Sequence, residues 1–220
     1  MTTNENPGGA DRILNAAIHL FGEKGFAATS LRQIATEAGV SQALVVHHFG
    51  SKAALQRACD HHVAALTRAS KESTFRQGAN LDPLMALRQL EDNRPVLRYL
   101  ARALTEGGEN TAALVDEFVS DATEYMADAE AAGLIKPSAN PYERTVVLSL
   151  LSLGALAMHD HLKRLLNVDL LDTSAPPESL TPYLSPMIEL FTQGLMSEGA
   201  YEDMMQLFNN LQPAKGSTDE

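Results

Sequence analysis

Apolar residues recur along this chain at the 3.6-residue spacing of a helix, and no convincing run alternates apolar and polar with period two. Amphipathic helices with no sheet to cover must bury their stripes against one another, so the expected fold class is all-α. From Asp11 to Lys24 the side chains of Ile13, Ala17, Leu20 and Phe21 share one face, and Gly25 follows where a helix end commonly turns left-handed. Ser30 and Gln33 stand at capping-box spacing and open a second helix that ends near Ala38. Gly39 makes the next turn and Ser41 can cap a third helix. Ser51 can cap a fourth, carrying Leu55, Cys59, His62 and Leu66 in one stripe toward Ser73. Further helices are predicted at 82–92, 95–105, 110–132, 142–166, 182–198 and 200–211. Gly107-Gly108, the stretch from Gly133 to Pro141 and Pro176-Pro177 separate them.

With 220 residues, 45% of them hydrophobic, a core needs no covalent staple. Residues 1–9 read as a flexible tail, 10–57 as a small head, 58–211 as a helical body and 212–220 as a disordered tail. The longest apolar stretch, from Thr145 to Met158, is interrupted by Ser149 and Ser152. It falls short of the roughly 20 residues of a membrane span, so no membrane partner is expected. No basic-then-apolar leader opens the chain, and a cytoplasmic location follows as the expectation. Cys59 is the single cysteine, which excludes an intrachain disulfide and a Cys-rich zinc site; it suits a small apolar filler or a redox-sensing thiol.

The net charge of −11 argues against nucleic acid only if it is spread evenly. It is not. Residues 1–60 balance Arg12, Lys24, Arg32, Lys52 and Arg57 against Glu5, Asp11, Glu23, Glu37 and Asp60, so the whole excess lies in the body. A neutral head on an acidic body can meet phosphates if its few cations are well placed.

Two short helices meeting at a tight angle need a small residue in the first and a glycine in the turn. Ala35 and Gly39 supply them, while Ile34, Ala38, Val40 and Val45 provide inward apolar positions. Ser41, Gln42, Ala43, Val46 and His47 are left facing outward on the second helix, the face that enters a DNA major groove in such a unit.

The runs Phe21-Gly22-Glu23-Lys24-Gly25-Phe26, Thr29 to Ala35, Ala38-Gly39-Val40-Ser41 and His48 to Leu55 resemble, in order and spacing, the N-terminal domain of the TetR family. The resemblance covers about residues 10 to 57. It implies a three-helix DNA-binding head, a variable helical ligand domain and dimerisation through the last two major helices. It places Thr29, Ser30 and Arg32 where the second helix meets phosphates or a base, and Gln42 and Ala43 where the third reads bases. His47 and Lys52 match backbone-contacting positions, and His48 and Phe49 are expected to close the head's own core. Val46 stands where the family usually has a phosphate-binding tyrosine, and Leu44 where a small polar residue is common. Weaker backbone anchoring and more contact with thymine methyls follow.

In the body, the 142–166 helix is apolar around nearly its whole circumference from Val146 to Met158, so one side packs the core and another must meet a partner. With the 182–198 helix, bearing Ile188, Leu190, Phe191 and Leu195, it is the candidate homodimer interface. A pocket for an unknown small-molecule effector is expected among 95–105, 110–132 and 142–166. Phe118, Tyr125, Met126, Met158 and His159 would line it, with Arg98, Arg102, Glu117 or Asp121 giving polarity. No cofactor is called for. The ligand itself does not follow from the sequence.

An enzyme is the rival class, and seven histidines invite a metal-site version. Yet His47-His48 and His61-His62 are adjacent pairs, and His159 and His161 point to divergent helix faces. No His-Glu-x-x-His, Gly-x-Ser-x-Gly, P-loop or dinucleotide fingerprint occurs. Repressor, activator and control by a protein partner all remain open to a chain with such a head.

Overall fold

The computed structural model of the chain describes residues 8–77, 93–172, 175–197, 199 and 201–211. Among them every regular element is helical. The helix expected at 82–92 and both tails, except Gly8 and Gly9, lie outside the described residues.

Local chemistry explains the first helices. Helix α1 (Gly9–Lys24) buries Ile13, Ala17, Leu20 and Phe21, and stops where the Gly25 N–H donates to the Phe21 carbonyl. Helix α2 (Leu31–Ala38) opens on a complete capping box: the Ser30 Oγ accepts from the Gln33 N–H at 3.3 Å, and the Gln33 Oε1 accepts from the Ser30 N–H at 2.8 Å. It ends at Gly39, whose φ of 64° lies in the left-handed region that a Cβ disfavours. Helix α3 (Gln42–Phe49) is capped by Ser41, and α4 (Lys52–Gln77) by Ser51, whose Oγ accepts from the Ala54 N–H at 3.1 Å.

The body continues with α5 (Arg94–Glu106), α6 (Glu109–Ala131), α7 (Pro141–Ala157) and α8 (His159–Leu166). One core runs from head to body, joining Ile13, Ile34, Val45, Leu55, Leu100 and Leu114. Its tightest seam lies between α1 and α5. A Cβ on Gly22 would sit 3.0 Å from the Tyr99 backbone nitrogen and 3.3 Å from the Arg98 carbonyl carbon, so any larger residue would press the α5 backbone back by a few tenths of an ångström. Polar contacts flank the seam: Arg98 pairs with Glu23, and the Phe26 N–H donates to the Glu106 carboxylate at 3.2 Å. The Tyr99 hydroxyl donates to the buried Asp60 carboxylate at 2.6 Å. Desolvation raises that carboxyl above its ordinary value, against the lowering by Tyr99 and His61.

The expected 142–166 helix is two helices, not one. Helices α7 and α8 are bent by 71° at Met158. The chain changes character there, from the apolar run ending at Ala157 to His159, Asp160, His161, Lys163 and Arg164. Asp160 in the first turn and the two cations in the last give α8 its own dipole-matched ends. The residues to Leu180 form one compact unit and those from Thr181 a second. The second holds α9 (Thr181–Gln193) and α10 (Glu202–Leu211). Helix α9 closes at Gln193 rather than 198, because Gly194 takes a φ of 77°.

Candidate nucleic-acid interface

Helix α3 rests on the core chiefly through Val45, which is 1% exposed, with Leu44 half-buried beside it. That anchor, with Phe49 at the helix end and α2 locked across the Gly39 turn, leaves Ser41, Gln42, Ala43, Val46 and His47 exposed along one strip. Ser30 and Arg32 are exposed at the start of α2. Lys52 is half-buried at the head of α4, where its ammonium lies 4.2 Å from the Phe26 ring centre and donates to the Ala27 carbonyl at 3.4 Å.

Two expectations need correction. Thr29 is 2% exposed, and its hydroxyl is within reach of the Gly25 carbonyl at 2.8 Å and the Leu20 carbonyl at 3.2 Å. Its side chain therefore closes the end of α1 and is not presented to a phosphate. His48 is exposed rather than part of the head's core; Phe49 alone of the pair packs inward.

Residues 13–59 match the model of the bacterial regulatory proteins of the tetR family, and residues 91–197 match the tetracyclin repressor-like C-terminal domain. The HTH-type transcriptional regulatory protein RaaS of Mycobacterium tuberculosis is 36% identical over 193 residues, spanning 86% of this chain and 87% of that protein. The chain belongs to the TetR family. It is thus a transcriptional regulator with a DNA-binding helix-turn-helix head, from a family of regulators and not of enzymes. A TetR-like regulator from Rhodococcus sp. RHA1 shares the fold at a TM-score of 0.53 with 20% identity, covering 87% of this chain and all of its own. SmeT, the repressor of the Stenotrophomonas maltophilia multidrug efflux pump SmeDEF, also has a TM-score of 0.53, at 20% identity over 78% of this chain and 88% of its own. Among the described residues, no single helix is long and apolar enough to cross a membrane.

The residues expected to line an effector pocket do not converge. Arg98 faces α1 and also donates to the Leu171 carbonyl at 2.6 Å. Arg102 borders a cavity of about 10 Å³ between Phe21, Tyr99 and Glu106, room for one water. Phe118 is core, while Asp121 pairs with Arg68 of α4 at 2.9 Å. Glu117 is paired with His61 at 2.8 Å. Tyr125 and Met126 are half-buried on α6, and Met158 and His159 sit at the α7–α8 bend. A groove of about 580 Å³ between α6 and α7 shares none of the predicted lining residues. Its walls repeat every fourth residue (Val115 and Val119, then Tyr142, Val146 and Leu150), a spacing visible in the sequence, but which stripes face each other is a matter of packing.

Proposed function

We propose that this TetR-family protein represses transcription as a homodimer on an inverted-repeat operator and leaves it when a small-molecule effector binds the body. The reading is carried by the exposed strip on α3, polar at Ser41, Gln42 and His47 and held to the core from behind by Val45. Gln42 makes a paired hydrogen bond to adenine, Ala43 and Val46 meet thymine methyls, and Ser41 and His47 flank them. Ser30, Arg32 and Lys52 hold the phosphates. The dimer is formed by the uncovered apolar faces of α7 and α9. Val147 and Leu151 of α7, and Ile188 and Phe191 of α9, are each more than half exposed in the single chain. A twofold pair presents two α3 helices to half-sites roughly 34 Å apart. Near-complete release requires the effector to prefer the DNA-incompetent conformer by about 10⁴-fold.

Selection of bound duplexes from a random pool tests the reading. An enriched short inverted repeat, with one dimer bound per repeat, is the expected result. Failure to enrich any sequence at low ionic strength overturns it.

A further inference from the structure

The groove between α6 and α7 has a chemistry of its own. We infer that it is the effector site and that the effector is an organic cation with an apolar body, an inference that rests on the effector-released reading above. On α6, Val115 and Val119 lie one turn apart, as do Asp116 and Ser120, and Glu124 follows a further turn along. The volume of about 580 Å³ falls within the roughly 300–1,000 Å³ of small-molecule clefts.

The valines, with Val146 and Leu150 of α7, provide apolar contact. Asp116 and Glu124 provide negative charge, and among the described residues no lysine, arginine or histidine lines the groove. Tyr142, 57% exposed at its edge, offers an aromatic face to a cation. The surroundings deepen the negative field. Arg68 serves Glu72 at 2.7 Å, Asp121 at 2.9 Å and Glu124 at 2.6 Å, and Arg76 also lies 3.6 Å from Glu72, so among the described residues three carboxylates face two guanidiniums and the cluster stays net negative. Asp116 makes no ion pair among the described residues. An organic anion is repelled by the same walls.

Glu124 also links the groove to the head. It lines the groove and reaches Arg68 on α4, the helix that begins directly after α3. A bound cation competes with Arg68 for Glu124, loosening a bridge between α6 and α4. The groove thereby communicates with the orientation of α3 through a single shared carboxylate.

Tetraphenylphosphonium and its near-isosteric anion tetraphenylborate provide the test, by calorimetry on the full-length protein and by titration of the selected operator. The phosphonium is expected to bind and to release operator, and the borate to do neither. Asp116→Asn should weaken phosphonium binding at least threefold and Ser120→Trp, which fills the groove from an exposed position, at least tenfold, with unchanged melting temperatures. Arg68→Gln frees Glu124, so it should tighten phosphonium binding while blunting its effect on operator affinity. No phosphonium binding, equal binding of the borate, binding unaffected by both groove variants, or binding without operator release overturns the inference. So does a Ser120→Trp variant that shifts the monomer–dimer equilibrium, because the groove would then be covered by a second copy. Operator titration without either probe keeps the two readings apart. Operator binding with no phosphonium response removes only the cation site, whereas phosphonium binding by a protein that ignores every duplex removes the repressor.

Discussion

Helices α3 and α7 stand in similar structural positions and expose opposite chemistries. Each reaches the core through few buried side chains: Val45 in α3, Thr145 and Leu156 in α7. What α3 leaves outside includes Gln42 and His47, which water can solvate in the free protein and which suit a wet, hydrogen-bonding interface. What α7 leaves outside includes Val147 at 56% and Leu151 at 63% exposure, an apolar face of the kind that marks a protein contact. The contrast separates two kinds of partner on one chain. A polar strip can wait uncovered for DNA, whereas a contiguous apolar strip favours the proposed dimer even in the absence of DNA.

The sharpest way to break that contrast is to charge the apolar strip. Val147 and Leu151 lie one turn apart on α7 and line neither cavity. Val147→Glu with Leu151→Glu forfeits the burial of two side chains from each protomer, about 1.5–3 kcal/mol each. Dimer dissociation should strengthen by about 100-fold or more, read by sedimentation equilibrium, with operator affinity falling in parallel and helix content retained. A variant that stays dimeric removes α7 from the interface. On the polar side, Gln42→Ala should lose about 1–3 kcal/mol of discrimination at one base pair per half-site. Binding to unrelated duplexes should hardly change. A uniform loss across all sequences would make Gln42 a backbone contact instead.

The next effect belongs to the turn that aims α3. Gly39→Ala forces a Cβ into the left-handed region at a cost of about 1–2 kcal/mol, read as a lowered chemical-denaturation midpoint. It illustrates which parts of the molecule were legible in advance. The caps at Ser30, Ser41 and Ser51 and the Ala35–Gly39 pair are local signals, each completed within four residues, and the structure realises them. Thr29 carried no such signal, because one of its acceptors, the Leu20 carbonyl, lies nine residues back within α1, and it is this tuck against α1 that buries the side chain. The bend at Met158 was harder to read: helical periodicity continues across it, and the change from apolar to charged residues after Ala157 does not by itself fix the 71° between α7 and α8. Separation in sequence likewise hid the seam residues, with Asp60 and Tyr99 39 positions apart.

Val46 tests whether the α3 strip is tuned for bases at the expense of phosphate. It is 43% exposed and carries no hydrogen-bonding group. Val46→Tyr should add one hydrogen bond to the DNA backbone, about 0.5–1.5 kcal/mol, and raise affinity for operator and unrelated duplexes alike. Anisotropy titration with both kinds of duplex checks this, and a weakened operator complex would show that Val46 is needed against a base.

The smallest expected effect lies where head meets body, at Asp60 of α4 and Tyr99 of α5. Burial raises the Asp60 carboxyl above its ordinary 3.8, so in the window between that value and the raised one the folded chain keeps a proton that the unfolded chain has released. Stability contributed at this site therefore falls as pH climbs through the window and levels off above it. Asp60→Asn cannot ionise but retains an oxygen that accepts from the Tyr99 hydroxyl, so it should lack that fall. Tyr99→Phe removes the hydrogen bond that opposes the rise and should carry the window to higher pH. Urea midpoints measured across the acid limb distinguish the three proteins. Parallel profiles for wild type and Asp60→Asn would mean that this carboxylate is solvated well enough to titrate as it does in the unfolded chain, and that the seam is held by the Gly22 contact and its ion pair rather than by the buried Asp60–Tyr99 bond.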